Sequence, residues 1–159
     1  MTSPTTHLTL SSSFNPEWFH TDHFDRKQLN PRREKTRILS ADDDPLVLHT
    51  RRAILELAGY EVLNAADGRE ALQIFAEYPI DLAILDYRMP EVDGGAVARE
   101  LKRCRPELPI ILISGGGVDE SAKDYADCLI VKGRTPTFML GEIERLLASA
   151  RASVSSTAD

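Results

Sequence analysis

Four aspartates, one serine and one lysine are the side chains whose types and spacing could do phosphoryl or metal chemistry. Asp42, Asp43 and Asp44 follow the short apolar run RILSA at 37–41, and Asp86 closes LAILD at 82–86. Ser114 closes PIILIS at 109–114, and Lys132 closes DCLIVK at 127–132. If the first and third of these runs are neighbouring strands, at least three carboxylates converge at one edge of a sheet. Crowded carboxylates repel one another and resist ionisation unless a positive charge joins them. An oxygen-only set at this density suits a hard cation, and Mg2+ takes one or two carboxylates together with waters and phosphate oxygens. Lys132 adds a fixed positive charge and Ser114 a hydroxyl donor. Together they make a cradle for a phosphoryl group, where positioning and charge stabilisation do most of the catalysis. One aspartate can itself be the nucleophile, forming an acyl phosphate. Asp44 is read as a helix N-cap.

The elements that must position these residues alternate regularly. RILSA precedes a helix opened by Asp44-Pro45, an N-cap with proline in the first turn. Val47, Ile54 and Ala58 share one face of that helix, and Gly59 ends it. EVLNA at 61–65 is the second strand, followed by a helix with the stripe Leu72, Phe75 and Ala76. LAILD and PIILIS are nearly all apolar, as in parallel strands covered on both faces. Between them lies a helix carrying Val97, Leu101 and Cys104. The closing helix, Pro136 to about Ser149, places Met139, Ile143, Leu146 and Leu147 together. Short strands joined by helices must be parallel with right-handed crossovers. The fold class is therefore α/β, an open five-stranded parallel sheet with helices on both faces. Its ligand site lies beyond the carboxyl ends of the strands.

Composition narrows the function classes. The chain has 159 residues and a net charge of −6, so no broad nucleic-acid-binding surface is expected. Cys104 and Cys128 lack zinc-type spacing and read as free thiols in a reducing compartment. No apolar stretch approaches a membrane span and no signal-peptide core is visible, so the expected location is cytoplasmic. Residues 1–35 are rich in Ser, Thr, Pro and charge without periodicity, and are expected to form a disordered arm. Trp18, Phe19 and Phe24 in that arm could dock elsewhere, whereas His20 and His23 make too sparse a metal site. Residues 36–149 form the domain, and 150–159 are expected to be a frayed tail.

The blocks ILSADDDP, ILDYRMPEVDGG, ILISGG and LIVKG, in that order, resemble the receiver domain of two-component response regulators. The resemblance covers about residues 36–149 and implies a flavodoxin-like, doubly wound sheet of order 2-1-3-4-5. It also implies roles. Asp86 would be the phosphoryl acceptor, a phosphoprotein site. Asp43 would bind Mg2+ directly and Asp42 largely through water, with Asp86 and the backbone carbonyl of Arg88 completing the protein ligands. Ser114 and Lys132 would contact the phosphoryl group, and Met89-Pro90 and Gly94 would shape the loop after the acceptor strand. The donor would be a sensor histidine kinase, a phosphotransfer protein of a phosphorelay, or a small acyl phosphate. The protein would act in signal transduction rather than as an enzyme.

Four departures from the family pattern qualify these implications. Gly133 stands where the family has proline, so a cis peptide after Lys132 is not expected. Leu129 stands where the family has its switch aromatic, with Tyr125 as a candidate substitute. The segment from Ser114 to Lys132 is short and begins Gly115-Gly116-Gly117, so the fourth helix should be short or irregular and Gly115 should leave the site open. No helix-turn-helix or other output domain follows, so a stand-alone, single-domain receiver signalling to a downstream protein by contact is expected. The alternative is a degenerate receiver acting as a phosphorylation-independent interaction module. An aspartyl-phosphate hydrolase is disfavoured because Arg88 occupies the position of its general acid. A dinucleotide fold is disfavoured because three aspartates would repel a pyrophosphate.

Overall fold

The structure is a computed structural model that describes residues 35–156, so the expected arm, apart from Lys35, and the last three residues lie outside it. Five strands alternate with five helices: β1 (Arg37–Ala41), α1 (Pro45–Leu57), β2 (Glu61–Ala65), α2 (Gly68–Glu77), β3 (Leu82–Asp86), α3 (Gly94–Cys104), β4 (Ile110–Ser114), α4 (Glu120–Lys123), β5 (Cys128–Val131) and α5 (Pro136–Ser155). The strands are all parallel in the order β2-β1-β3-β4-β5, as expected.

Every residue of β3 and β4 is buried, which explains their unbroken apolar sequence. One face of the sheet packs Leu39, Leu85 and Leu112 against Leu72 and Phe75 of α2 and Leu101 of α3. The other packs Ile38, Ile84 and Ile111 against Leu55 of α1 and Ile143 and Leu147 of α5. Each such side chain contributes roughly 1.5–3 kcal/mol by leaving water. Because β1 sits between β2 and β3, the crossovers leave it in opposite directions and open a crevice at its carboxyl end.

Helix starts are set by side-chain caps. Asp44 accepts from the amides of Leu46 and Val47, and Asp93 from that of Ala96. Asp67 caps α2 and Thr135 caps α5 in the same way.

Three readings of the helices need correction. The inward stripe of α1 centres on Leu48, Arg51 and Leu55; of the expected set Ile54 packs at its edge, Val47 is only partly buried and Ala58 is exposed. A charged residue belongs to the core face here, so counting only apolar residues rotated the stripe. Ala76 of α2 is exposed, and its inward face is completed by Ala71. The tail expected to fray from 150 onward instead continues α5 to Ser155. Ala148, Ala150, Arg151 and Ala152 are strong helix formers that need no tertiary partner. Along this stretch the Ser153 and Ser155 hydroxyls donate to the carbonyls of Ser149 and Arg151. The four-residue α4 agrees with the expected short fourth helix.

Candidate functional site

Two strand ends bring the three carboxylates together. Asp42 lies just past β1 and Asp86 ends β3, and β1 and β3 are paired from Ile38–Leu82 to Ala41–Leu85. Oxygens of Asp42, Asp43 and Asp86 all lie within 4.8 Å of one another. Asp42 and Asp86 are each 1% exposed, whereas Asp43 faces solvent. Two buried carboxylates and one accessible carboxylate thus form a single pocket.

The loop after β3 holds Asp86 from behind. The Gly94 amide donates to the Tyr87 carbonyl at 2.9 Å, drawing the start of α3 against the strand end. A Cβ at Gly94 would collide with the carbonyl oxygen of Asp86, so only glycine permits this approach. Within the loop, Glu91 adopts φ 65°, a left-handed conformation that costs an L-residue about 1–2 kcal/mol.

Burial pushes the Asp86 carboxyl above the usual range. The Lys132 ammonium and the Arg88 amide, which hydrogen-bonds this carboxylate, pull the other way, and nearby Asp42 adds to the rise. Lys132 Nζ lies 3.2 Å from Asp86 Oδ1, with its side chain half exposed. This contact is an ion pair without hydrogen-bond alignment: among the described residues, buried Asp86 Oδ1 has no well-aligned donor. An oxygen-only trio with one buried oxygen left underbonded fits a hard divalent cation such as Mg2+.

The remaining predicted residues lie close by. The Lys132 amide donates to the Ser114 carbonyl at 2.9 Å, which registers β5 beside β4 at the pocket. The Ser114 hydroxyl is engaged locally, donating to the Gly116 carbonyl at 2.9 Å and accepting from its amide at 3.2 Å. The Arg88 side chain is exposed. No cis peptide occurs among the described residues, and Gly133 instead takes φ 96°. Leu129 is 41% exposed on β5. Tyr125 lies in the turn after α4, half-buried against the core.

Two residues of the site were not singled out from the sequence. Arg51 NH2 bonds Asp42 Oδ2 at 3.0 Å, and its NH1 bonds Ser40 Oγ at 3.1 Å. The signal was present, since position 51 lies three after Leu48 and four before Leu55 on the inward face. Tyr87 Oη donates to Asp119 Oδ2 at 2.9 Å, a link across 32 residues that no local pattern marks.

Comparison with known proteins agrees with this geometry. The sequence matches the response regulator receiver domain family over residues 38–132. It is 39% identical over 97 residues to the response regulator MprA of Mycolicibacterium vanbaalenii, covering 56% of this chain and 42% of that protein. It is 39% identical over 123 residues to the probable transcriptional regulator ycf27 of Galdieria sulphuraria, covering 72% of this chain and 46% of that protein. The chain thus spans less than half the length of these curated relatives. Among solved structures, a CheY-like receiver domain protein of Methanospirillum hungatei superposes with TM-score 0.71 at 29% identity, over 75% of this chain and 98% of that one. The response regulator TrrA of Thermotoga maritima, solved with Mg2+ and BeF, gives TM-score 0.66 at 32% identity over 70% of this chain and 98% of that one.

Proposed function

Because this chain belongs to the response regulator receiver domain family, we propose that Asp86 accepts a phosphoryl group in a Mg2+-dependent signalling step. Receiver domains are signalling modules, and this reading assigns the chemistry of one to particular residues. An Asp86 oxygen attacks phosphorus, a P–O bond forms, and the bond from phosphorus to the donor breaks. With a phosphohistidine donor, the imidazole nitrogen leaves with the electron pair. Asp43, Asp86 and the Arg88 carbonyl would hold Mg2+ directly, with Asp42 acting through water. The cation supplies charge neutralisation for the transferring oxygens. Lys132 stands at the acceptor oxygen and offsets the charge that builds there. Ser114 would release Gly116 to donate its hydroxyl to the phosphoryl group.

The observation that carries this reading is the underbonded Asp86 Oδ1, buried among two further carboxylates and 3.2 Å from Lys132. A nucleophile so placed is desolvated, oriented and flanked by positive charge, which is where acyl-phosphate formation gains most. The donor partner would be a sensor histidine kinase or phosphotransfer protein, and the phosphorylated state would be read by contact with a downstream protein.

Incubation with acetyl phosphate and Mg2+ tests the proposal by intact-mass spectrometry. A gain of about 80 Da, one phosphoryl group, is expected in the parent chain and not in Asp86→Asn. Absence of the adduct, with a receiver of known activity labelled in parallel, would leave the phosphorylation-independent module as the better reading. An adduct that persists in Asp86→Asn would move the acceptor elsewhere.

A further inference from the structure

Arg51 is the one charged residue on the inward face of α1, and it is 6% exposed. A buried guanidinium is costly unless paired and hydrogen-bonded. Here it is both: NH2 reaches Asp42 Oδ2 at 3.0 Å and NH1 reaches Ser40 Oγ at 3.1 Å. The other carboxylate oxygen, Asp42 Oδ1, accepts the Asp44 amide at 3.0 Å. Asp42 is therefore fixed at both oxygens before any cation arrives.

We propose that Arg51 ties up and partly neutralises the Asp42 carboxylate and so lowers the affinity of the acid pocket for Mg2+. The proposal rests on the metal reading given above. Two effects act in one direction. The guanidinium fills an acceptor position on Asp42 Oδ2 that a metal-bound water would otherwise use. It also adds a second buried or half-buried positive charge beside Lys132, so three carboxylates face two cations instead of one. A divalent cation entering the pocket is repelled by Arg51 and finds Asp42 already partly neutralised. The pocket then binds Mg2+ more weakly than its three carboxylates alone would, while Asp42 and Asp86 sit side by side without a metal at lower electrostatic cost. A cavity of about 300 Å3, bordered by Arg51, Val47, Ile54, Ile130 and Met139, adjoins the guanidinium. It gives a replacement side chain room to settle without displacing α1.

The test is Mg2+ titration of the full chain, read by calorimetry and by the backbone amide shifts of Asp43 and Asp44. Arg51→Met keeps the apolar stem and removes the charge. It should bind Mg2+ more tightly, by on the order of tenfold, from the loss of one positive charge several ångströms away. Arg51→Lys keeps the charge and should stay within about threefold of the parent by the same reasoning. A residue that merely packs α1 would lower Tm in both variants and leave both affinities at the parent value, which overturns the proposal. Equal or weaker binding by Arg51→Met overturns it too. Where Arg51→Met does not fold by near-ultraviolet circular dichroism, Arg51→Gln replaces it, since its amide can still bond Ser40 and Asp42 without charge. Binding by the parent with no gain in the neutral variants sinks the Arg51 proposal alone. No Mg2+ binding by parent or neutral variant sinks the metal site itself and Arg51's role with it.

Discussion

The Tyr87 hydroxyl donates to Asp119 at 2.9 Å and accepts the Asp119 amide at 3.3 Å, tying the neighbour of Asp86 to the residue that opens α4. Tyr87 is 9% exposed, and its own amide donates to the Ile113 carbonyl of β4 at 2.8 Å. One side chain thus spans from the end of β3 to the segment beyond Gly115-Gly116-Gly117. With Leu129 in place of an aromatic on β5, this is a physical connection by which a change at Asp86 can reach α4.

Tyr87→Phe removes the hydroxyl and leaves the Asp119 carboxylate without that donor. Hydrogen bonds to charged groups contribute about 1.5–3 kcal/mol, less where solvent can substitute, so a loss of about 1–2 kcal/mol is expected in urea denaturation. The larger effect should be local. Amide exchange across 115–123 should accelerate relative to β1 and β3, while Asp86 still forms its acetyl-phosphate adduct. Unchanged exchange there would show that the loop is held by its own turns.

Burial, together with the Glu142 carboxylate that accepts its hydrogen bond, pushes the Cys128 thiol up to about 11. A thiol pKa raised on folding contributes stability that is present below the ordinary value of 9.0 and is lost as pH rises through about 11. Between these pH values the unfolded chain loses its proton first, so stability should fall across that window. Iodoacetamide at pH 8.5 should therefore label Cys128 at least about tenfold more slowly than a model thiol, because the thiolate is the nucleophile. Glu142→Gln should speed labelling, since the neutral amide no longer opposes the thiolate. Labelling of Cys128 at the free-thiol rate in the parent would contradict the raised value. Mass mapping of the two cysteine peptides separates it from Cys104, whose thiol burial also raises.

How much of this was legible in the sequence depended on how local the cause was. The strands were readable because each is a short apolar run with a turn at either end, and β3 and β4 are buried along their whole length. The face of α5 was readable because Met139, Ile143, Leu146 and Leu147 keep helical spacing and all are buried. The face of α1 was misread because its central inward residue is Arg51, whose burial depends on Asp42, nine positions away. A hydropathy pattern cannot credit a charge that is neutralised from another element. In the site, Asp42, Asp43, Asp86, Ser114 and Lys132 could be grouped because strand ends converge in any parallel sheet. The turned-in Ser114 hydroxyl, the strained Glu91 and the Tyr87–Asp119 bond depend on loop geometry, which spacing does not encode. The length of α5 was underestimated for the opposite reason: exposed alanines carry helix propensity without an apolar face to mark it.

Gly133, directly after Lys132, takes a φ of 96°. A Cβ there would meet open space, so any cost of substitution comes from the backbone and not from a clash. Alanine at a positive φ loses the conformational match, and Gly133→Ala should cost about 1 kcal/mol. Gly133→Pro restores the residue usual in the family but fixes φ near −65°, which this turn does not adopt. It should cost more than alanine, by roughly 1 kcal/mol or beyond, because the chain must rebuild the turn between β5 and α5. The Lys132 amide bond to the Ser114 carbonyl would be disturbed with it, moving the ammonium away from Asp86. Urea denaturation of both variants ranks the costs, and the rate of adduct formation with acetyl phosphate reports the ammonium. If proline were tolerated better than alanine, the turn would have to reach a negative φ at little cost, and the placement of Lys132 would not depend on glycine.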